Sequence, residues 1–359
     1  MKGKRKKSVL IGLSGGVDSA VSAHLLKKQG YQVTAVFLKM FSDTKDPITS
    51  ECRWISDYKE AQKIANFLNI PLIKLDYEKS YKSQVLNPMF SDYKSGLTPN
   101  PDISCNTIIK FPLLLKEAKK RKINFIATGH YARIKKDKKR YHLLQGLDKN
   151  KDQSYFLAEL NQSILSKTLF PIGRLTKKQV RHLAKSINLS NHNRESTSGL
   201  CFVGNINFQF FLKRKLKIKK GIVKDTENNI LGTHNGIGFY TIGQKALPSI
   251  GINIKKPNLL ASKKYYIIDK IKVKNELIVA PEGHPSLFTN KINIRNLKLI
   301  NNNSKLSNLS ARIRHLGKLY PGKLVKNTFI TKTPISLPAP GQYLVIYKGQ
   351  ELIGSGIIG

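Results

Sequence analysis

The sequence predicts an α/β amino-terminal domain, with a parallel sheet and helices on both of its faces, followed by a small β domain and a C-terminal β-barrel. Three observations predict this order. The 359 residues suit two or three domains. Up to about residue 205, short apolar runs alternate with helical patterns, and beyond it short β-like runs take over. We place the predicted domains at residues 1–205, 206–282 and 283–359.

Hydrophobic periodicity predicts each element of the first domain in turn. A short buried strand at 8–13 is followed by a helix at 20–29, which Gly30 ends. The remaining elements are a strand at 32–38, a helix at 54–69, a strand at 71–76, a helix at 106–121, a strand at 123–128 and a helix at 175–187. Strands and helices in this alternation form parallel sheets that are covered on both faces.

The later elements are shorter. One more helical stretch lies at 206–216, and β-like runs follow at 265–269, 276–280, 291–294, 311–313, 323–330 and 343–347. Turn signals such as Asn228-Asn229, Pro321-Gly322 and Pro340-Gly341 separate them. Several short strands divided by such turns are typical of a small β domain followed by a barrel.

Composition excludes an integral membrane protein, because no apolar run approaches the roughly 18–20 residues that cross a bilayer. Lys and Arg number 63 against 22 Asp and Glu, a net charge of +41. This excess suits a polyanion such as nucleic acid or an anionic membrane surface, although a solvated lysine-rich surface has the same composition. The three cysteines (Cys52, Cys105 and Cys201) are too few for a disulfide framework and too dispersed for a zinc site. We therefore expect a protein of the reducing cytoplasm.

The strongest local signal is a glycine-rich loop between the first strand and the first helix. It reads Gly12-Leu13-Ser14-Gly15-Gly16-Val17-Asp18-Ser19. Its glycines permit a positive φ and close approach to a ligand, and the helix that follows offers unpaired N–H groups. Together with the serine hydroxyls these groups form a cradle for an anion, most simply phosphate. The hexapeptide from Ser14 to Ser19 resembles the pyrophosphate loop of ATP pyrophosphatases. Several ligases and synthases have this loop, so the loop alone does not identify the reaction.

Two cysteines indicate sulfur transfer as the reaction. Cys105 follows Thr98-Pro99-Asn100-Pro101-Asp102-Ile103-Ser104, where the prolines predict an extended backbone before a helix that starts near the thiol. A helix start favours the thiolate form of cysteine. Cys201 stands in Gly199-Leu200-Cys201-Phe202-Val203-Gly204. Sulfur transfer needs two thiols, because one carries sulfur as a persulfide and the other attacks that persulfide.

Five motifs in this order are similar to those of the bacterial tRNA-specific 2-thiouridylase family. They are the glycine-rich loop, the stretch 98–106, Ala127-Thr128-Gly129-His130-Tyr131, Lys151-Asp152-Gln153-Ser154-Tyr155-Phe156 and the stretch 199–204. The resemblance extends from about Ser8 to the C-terminus. It implies that ATP adenylates the C2 oxygen of a wobble uridine in tRNA, and that sulfur from a persulfide replaces this oxygen to give 2-thiouridine, AMP and pyrophosphate.

The resemblance also implies cofactors, partners and site residues. ATP would bind with Mg²⁺ on its phosphates, and a sulfur-relay protein or cysteine desulfurase would load the persulfide, with no membrane partner. Cys201 would carry the persulfide and Cys105 would act as the nucleophile. ATP would contact residues 12–19 together with Leu38 and Gly129. The target base would contact Asn100, Pro101 and Asp102, and tRNA would contact His130, Lys151, Asp152, Gln153, Arg314, His315 and Gln342.

Two alternatives stay open from the sequence. Another ligase with a pyrophosphate loop, such as tRNA-lysidine synthetase, would use ATP but has no use for paired cysteines. A non-catalytic RNA-binding protein could keep a degenerate nucleotide-binding fold, and it would consume no ATP.

Overall fold

The computed structural model describes residues 6–42, 52–138, 140–195, 208–254, 264–301 and 306–359. Three sheets organise this part of the chain. The first is parallel and lies in the amino-terminal α/β domain, the second lies in the middle of the chain, and the third closes the C-terminal barrel. The predicted fold class is therefore confirmed.

The parallel sheet has five strands in the order β3-β2-β1-β4-β7. Their bounds are β1 (Ser8–Gly12), β2 (Gln32–Lys39), β3 (Leu72–Asp76), β4 (Phe125–Ala127) and β7 (Thr168–Leu169). All four pairings are parallel, so the carboxyl ends of the strands meet at one edge. Ligands of such sheets bind outside the carboxyl ends of the strands.

Helices cover both faces of this sheet. The α-helices are α1 (Val17–Lys28), α2 (Arg53–Phe67), α3 (Glu78–Tyr81), α4 (Asn87–Lys94), α5 (Pro101–Ser104), α6 (Phe111–Lys120), α7 (Gln162–Leu165), α8 (Lys177–Ser186) and α9 (Phe208–Lys213). Val9 and Ile11 of β1 pack in one core with α1, α2 and α8, whereas Leu10 packs in the opposite core with α6. This division follows from the alternation of side chains along a strand.

One helix differs from its prediction. The segment predicted as a helix at 106–121 is helical from Pro101 onwards, as α5, a π-helical turn (Cys105–Lys110) and α6 in direct succession. Asn100 is the N-cap, and its side chain accepts a hydrogen bond from the backbone N–H of Ile103 at 3.2 Å. The prediction that Cys105 stands at the helix start is therefore wrong by one turn, because the side-chain cap starts the helix earlier.

The middle sheet has the order β10-β9-β8-β12-β11. Its strands are β8 (Gly221–Lys224), β9 (Ile230–His234), β10 (Ile252–Ile254), β11 (Tyr265–Ile271) and β12 (Glu276–Pro281). All of its pairings are antiparallel except that of β12 with β8. The sequence predicts β11 and β12 and gives the surrounding region only as short β-like runs.

The barrel has six antiparallel strands, and it closes where β13 pairs with β18. Its strands are β13 (Phe288–Leu299), β14 (Leu309–Arg312), β15 (Tyr320–Val325), β16 (Thr328–Ser336), β17 (Tyr343–Lys348) and β18 (Glu351–Ile358). The single run predicted at 323–330 is in fact two strands. They are joined by a turn in which Lys326 has a positive φ of 52°.

A hairpin of the amino-terminal domain extends the barrel sheet. β5 (Ala132–Asp137) and β6 (Arg140–Gln145) pair with each other, and β6 pairs with β18. The sequence does not predict this hairpin. It ties the α/β domain to the barrel through backbone hydrogen bonds between segments that are far apart in the chain.

The helices of the described ranges are short or amphipathic in comparison with a bilayer-spanning segment. None of them has the length and apolar character needed to span a membrane.

Candidate functional site

The glycine-rich loop lies at the carboxyl edge of the parallel sheet. β1 ends at Gly12, and α1 begins at Val17 with Gly16 as its N-cap. Gly15 has a φ of +77°, in the left-handed region that glycine adopts without strain. The Ser19 hydroxyl donates to the Gly16 carbonyl at 2.9 Å and accepts from the Ser14 N–H at 3.3 Å. The loop therefore has the shape of an anion cradle before a phosphate is bound.

Gly129 lies directly against this loop, at the end of β4. A Cβ atom at position 129 would stand 2.8 Å from the backbone nitrogen of Ser19 and 2.8 Å from the carbonyl carbon of Asp18. Both atoms belong to the rigid first turn of α1. Only glycine fits here without moving the loop, and the contact of Gly129 with a nucleotide stays a prediction.

Two groups of polar side chains hold the loop, and the sequence did not predict them. Asn191 Nδ2 and Arg194 Nη1 donate to the carbonyl of Gly15 at 3.0 and 3.1 Å. The hydroxyl of Tyr131 and the ammonium of Lys177 donate to Asp18 Oδ1 at 2.8 and 2.6 Å. No local spacing links these residues to the loop, because only the fold brings them there.

Leu38 lies near the carboxyl end of β2, and its side chain is buried together with those of Met40 and Phe41. These three apolar side chains belong to the core that covers one face of the sheet. Cys52, for which the sequence gives no role, precedes α2 and donates its thiol to the carbonyl of Ser42 at 2.8 Å. The adenine contact of Leu38 stays a prediction.

Cys105 stands at the junction between α5 and the π-helical turn, and its side chain is 0% exposed. It packs within the same apolar core as Phe111 and Ile109. π-Turns inside α-helices are frequent at functional sites. In this conformation the thiol is shielded from solvent, so a reaction at Cys105 requires that the packing around it opens.

The barrel holds the segment that leads into this helix. Gln342 Nε2 donates to the carbonyls of Thr98 and Pro99 at 3.0 and 3.1 Å, and Gln342 Oε1 accepts from Asn100 Nδ2 at 3.2 Å. The carbonyl of Pro340 accepts from the N–H of Thr98 at 2.8 Å. Gln342, predicted as a tRNA contact, thus fixes Asn100, which in turn caps the helix that carries Cys105.

A second connection runs through the segment 152–156. The carboxylate of Asp152 is fully buried and accepts from the N–H groups of Gly146 and Ser154, each at 3.0 Å, and from the barrel residue Arg312 at 2.8 Å. At its other end, Phe156 accepts at its carbonyl from Asn106 Nδ2 at 3.0 Å. The segment therefore links the barrel to the residue next to Cys105.

The remaining predicted tRNA contacts differ in their accessibility. Lys151 and Arg314 are exposed, as a contact with RNA requires. Gln153 is half-buried, and its side chain accepts from the N–H of Tyr131 at 3.0 Å. The Asp152 side chain, by contrast, has no surface to offer to RNA in this conformation.

Two half-buried histidines are held in the neutral form. His130 stacks on Phe111 with ring centroids 5.9 Å apart, and burial lowers its pKa well below the usual value. The ring of His315 packs against Phe156 with the ring centroids 4.2 Å apart, and burial lowers the pKa of His315 to about 4. Its Nδ1 is buried without a hydrogen-bond partner among the described residues. Any contact of these rings with RNA near neutral pH would therefore be made by uncharged imidazole.

Cys201 and the motif at 199–204 lie outside the described residues. The distance between the two predicted catalytic thiols therefore stays open. In the described ranges we also find no group of three His, Cys, Asp or Glu side chains arranged to hold a metal ion. A magnesium ion on nucleotide phosphates needs only one or two protein carboxylates, and Asp18 is the carboxylate that the loop supplies.

Comparisons with known proteins agree with this architecture. A family model described as "tRNA methyl transferase HUP domain" matches residues 7–205. The models "tRNA methyl transferase PRC-barrel domain" and "Aminomethyltransferase beta-barrel domain" match residues 209–281 and 289–358. The fold and the loop thus define the class of the protein, a nucleotide-binding α/β domain of the HUP type joined to two β domains.

Curated relatives identify the family within this class. The chain is 38% identical over 362 residues to a tRNA-specific 2-thiouridylase of Geobacillus kaustophilus, covering 99% of this chain and 96% of the relative. It is 40% identical over 363 residues to that of Blochmanniella floridana, covering 98% and 96%. The chain belongs to the tRNA-specific 2-thiouridylase family.

A solved structure described as a complex of a 4-thiouridine synthetase with RNA and bound ATP is also similar. It is 15% identical, with a TM-score of 0.35, and the match covers 58% of this chain and 50% of that one. A similarity at this level carries no argument about function.

Proposed function

We propose that this protein is a tRNA-uridine 2-sulfurtransferase that uses ATP to convert the wobble uridine of certain tRNAs to 2-thiouridine. Membership in the 2-thiouridylase family supports the reaction. The single structural observation that carries the proposal concerns β1: the glycine-rich loop follows this strand, and the helix that carries Cys105 packs in the core on the Leu10 face of the same strand. The alternative of a lysidine synthetase explains neither the relatives nor the cysteines.

The chemistry proceeds in two stages. The C2 oxygen of the uridine attacks the α-phosphorus of ATP and pyrophosphate leaves, because an adenylated oxygen is a far better leaving group than a carbonyl oxygen. The terminal sulfur of a persulfide on Cys201 then adds to C2 and AMP leaves. The Cys105 thiolate attacks the sulfur of Cys201, which breaks the sulfur–sulfur bond and leaves 2-thiouridine and a Cys105–Cys201 disulfide. A cellular dithiol, or two molecules of a monothiol, then reduces that disulfide by two electrons and is itself oxidised to a disulfide.

The chain's own residues have distinct tasks in this scheme. The loop (12–19) and Gly129 hold the phosphates, and Leu38 contacts the adenine. Mg²⁺ with Asp18 would shield the charge of the phosphates. Asn100, Pro101 and Asp102 contact the flipped base, since enzymes that react with a base take it out of its stack. Lys151 and Arg314 contact the tRNA backbone, as their exposure allows.

We also propose roles for the three domains, for a persulfide donor and for four further residues. Residues 1–205 form the catalytic unit, and residues 206–282 and 283–359 form the middle domain and the tRNA-contacting barrel. A persulfide donor of the cytoplasm, either a relay protein or a cysteine desulfurase, loads Cys201. His130, Gln153, His315 and Gln342 would contact tRNA, although the side chains of Gln153 and Gln342 also bind backbone groups of the protein.

The test measures how much 2-thiouridine the Cys105→Ser and Cys201→Ser variants form in tRNA. Each is compared with the Cys52→Ser variant as a matched control. We expect both of the first two variants to bind ATP and tRNA but to form no 2-thiouridine, measured by mass spectrometry of digested tRNA. Cys52→Ser should retain thiolation, because its thiol donates to the backbone carbonyl of Ser42 and a serine hydroxyl can make the same bond. Full thiolation by Cys105→Ser would contradict the scheme.

A further inference from the structure

The glycine-rich loop contains no cation. Residues 12–19 include one acidic side chain, Asp18, and neither Lys nor Arg. Phosphate loops of the Walker type, by comparison, contain a lysine that reaches the β- and γ-phosphates. The positive end of α1 and the N–H groups of the loop attract phosphate, but a triphosphate carries several charges close together. Positive charge beyond that of Mg²⁺ would have to come from elsewhere in the chain.

The fold brings two cations from distant segments to this loop. Arg194 Nη1 lies 3.1 Å from the carbonyl oxygen of Gly15, and the same guanidinium pairs with Asp57 of α2. On the other side, Lys177 Nζ lies 2.6 Å from Asp18 Oδ1, at the first residue of α8. Their side chains are 30% and 13% exposed, so the charges are partly desolvated but reachable.

Both cations are held in place by further contacts. Thr176 and Gln179 form a capping box that fixes the start of α8 and with it Lys177. Arg181 of the same helix donates to the carbonyl of Arg194 at 3.1 Å. A charged group that is positioned before its ligand arrives loses little conformational entropy on binding.

Asn191 gives an independent indication that the site is incomplete. Its side chain is 3% exposed and donates through Nδ2 to the Gly15 carbonyl at 3.0 Å. Its Oδ1 is buried with no hydrogen-bond partner in the described part of the chain. Buried polar atoms without partners are rare and often mark a place where a ligand, an ion or water belongs.

We propose that Arg194 and Lys177 bind the β- and γ-phosphates of ATP, supplying the cations that the loop lacks. In the absence of nucleotide their charges are partly neutralised by Asp57 and Asp18. Phosphate oxygens would replace part of these contacts, and the same cations would stabilise the pyrophosphate as it leaves. This inference rests on the proposed use of ATP and extends it to two residues of the chain.

The experiment compares the affinities of ATP and AMP by calorimetry for wild type, Arg194→Gln and Lys177→Gln. Because AMP has only the α-phosphate, we expect each variant to weaken ATP binding by about tenfold or more, the cost of one charge-assisted hydrogen bond, and AMP binding by less than about twofold. Lys178→Gln is the matched control, since Lys178 is an exposed neighbour on the same helix and should change neither affinity.

Arg194→Lys separates binding from a structural role, because it keeps the charge but not the planar fork of the guanidinium. It should recover part of the ATP affinity that Arg194→Gln loses. Equal weakening of ATP and AMP, or unchanged ATP affinity in both glutamine variants, would overturn the inference. Wild-type protein that binds no ATP would instead overturn the proposed function itself.

Discussion

At the scale of single residues, His315 illustrates how burial controls charge. Its ring packs on Phe156, its Nδ1 is buried without a partner among the described residues, and its pKa is lowered to about 4. The unfolded chain binds a proton at this histidine near pH 6.5, whereas the folded chain binds it only near pH 4. Protonation therefore favours unfolding, and the histidine's cost to stability grows as the pH falls from about 6.5 towards about 4.

We predict that His315→Phe removes this cost. Phenylalanine keeps the aromatic packing and cannot take up a proton, so the variant should lose less stability than wild type between pH 7 and about pH 5. Denaturant unfolding at both pH values measures the difference, and at pH 7 the two free energies of unfolding should agree within about 1 kcal/mol. An identical pH dependence for the two proteins would show that His315 titrates normally.

At the scale of elements, the helix that carries Cys105 is positioned by a residue of the barrel. Gln342 makes hydrogen bonds to the carbonyls of Thr98 and Pro99 and accepts one from Asn100, the N-cap of α5. Gln342→Glu keeps the acceptor but loses both donated bonds, each worth about 1 kcal/mol. The equilibrium constant for local opening of this helix start should therefore increase in the variant.

We predict that Gln342→Glu increases the rate at which iodoacetamide alkylates Cys105 in the native protein by about 30-fold, the factor that corresponds to two lost bonds of about 1 kcal/mol each. The fully buried thiol of wild type should react slowly, because the reagent must wait for opening. Peptide mass spectrometry resolves Cys105 from the other cysteines. Gln350→Ala, at an exposed turn of the same barrel, serves as the control, and equal Cys105 rates in both variants would refute the positioning role.

The elements also show what the sequence can and cannot predict. Strands β1 to β4 and helices α1, α2 and α8 follow from local periodicity. The hairpin β5–β6 was missed because its first strand ends in exposed charged residues and its partner β18 is distant in the chain. Local patterns carry no information about such pairings.

The site shows the same limit. The glycine-rich loop was predicted because its function depends on adjacent residues, whereas Arg194 and Lys177 reach it only through the fold. Asp152 and Gln342 are polar residues within motifs, and from the sequence alone both are predicted to contact tRNA. In the structure their side chains bind protein groups, and their contact with tRNA stays a prediction. The sequence cannot separate the two roles, because a buried polar partner and a ligand contact require the same residue types.

At the scale of the whole molecule, the barrel and the α/β domain share a sheet and a buried ion pair. Asp152 is fully buried and pairs with Arg312 of β14 at 2.8 Å. Removing one partner of such a pair leaves an uncompensated charge in the interior. We predict that Arg312→Leu lowers the free energy of unfolding by about 3–5 kcal/mol, measured by denaturant titration.

The double variant Arg312→Leu with Asp152→Asn should recover part of this loss, because no buried charge then remains. A double variant as unstable as Arg312→Leu would show that the charge is not the cause.

Wild type should also unfold with the α/β domain and the barrel in one calorimetric transition, since the hairpin joins them.

In the proposed scheme, the loop and the Cys105 helix together carry out sulfur transfer to tRNA. It is tested most directly by mass spectrometry of tRNA nucleosides after the purified protein has been incubated with tRNA, ATP, magnesium and a persulfide donor. We expect 2-thiouridine at the wobble position, with one AMP formed for each uridine converted. Wobble uridines that keep their oxygen while the protein is folded and binds ATP would contradict it.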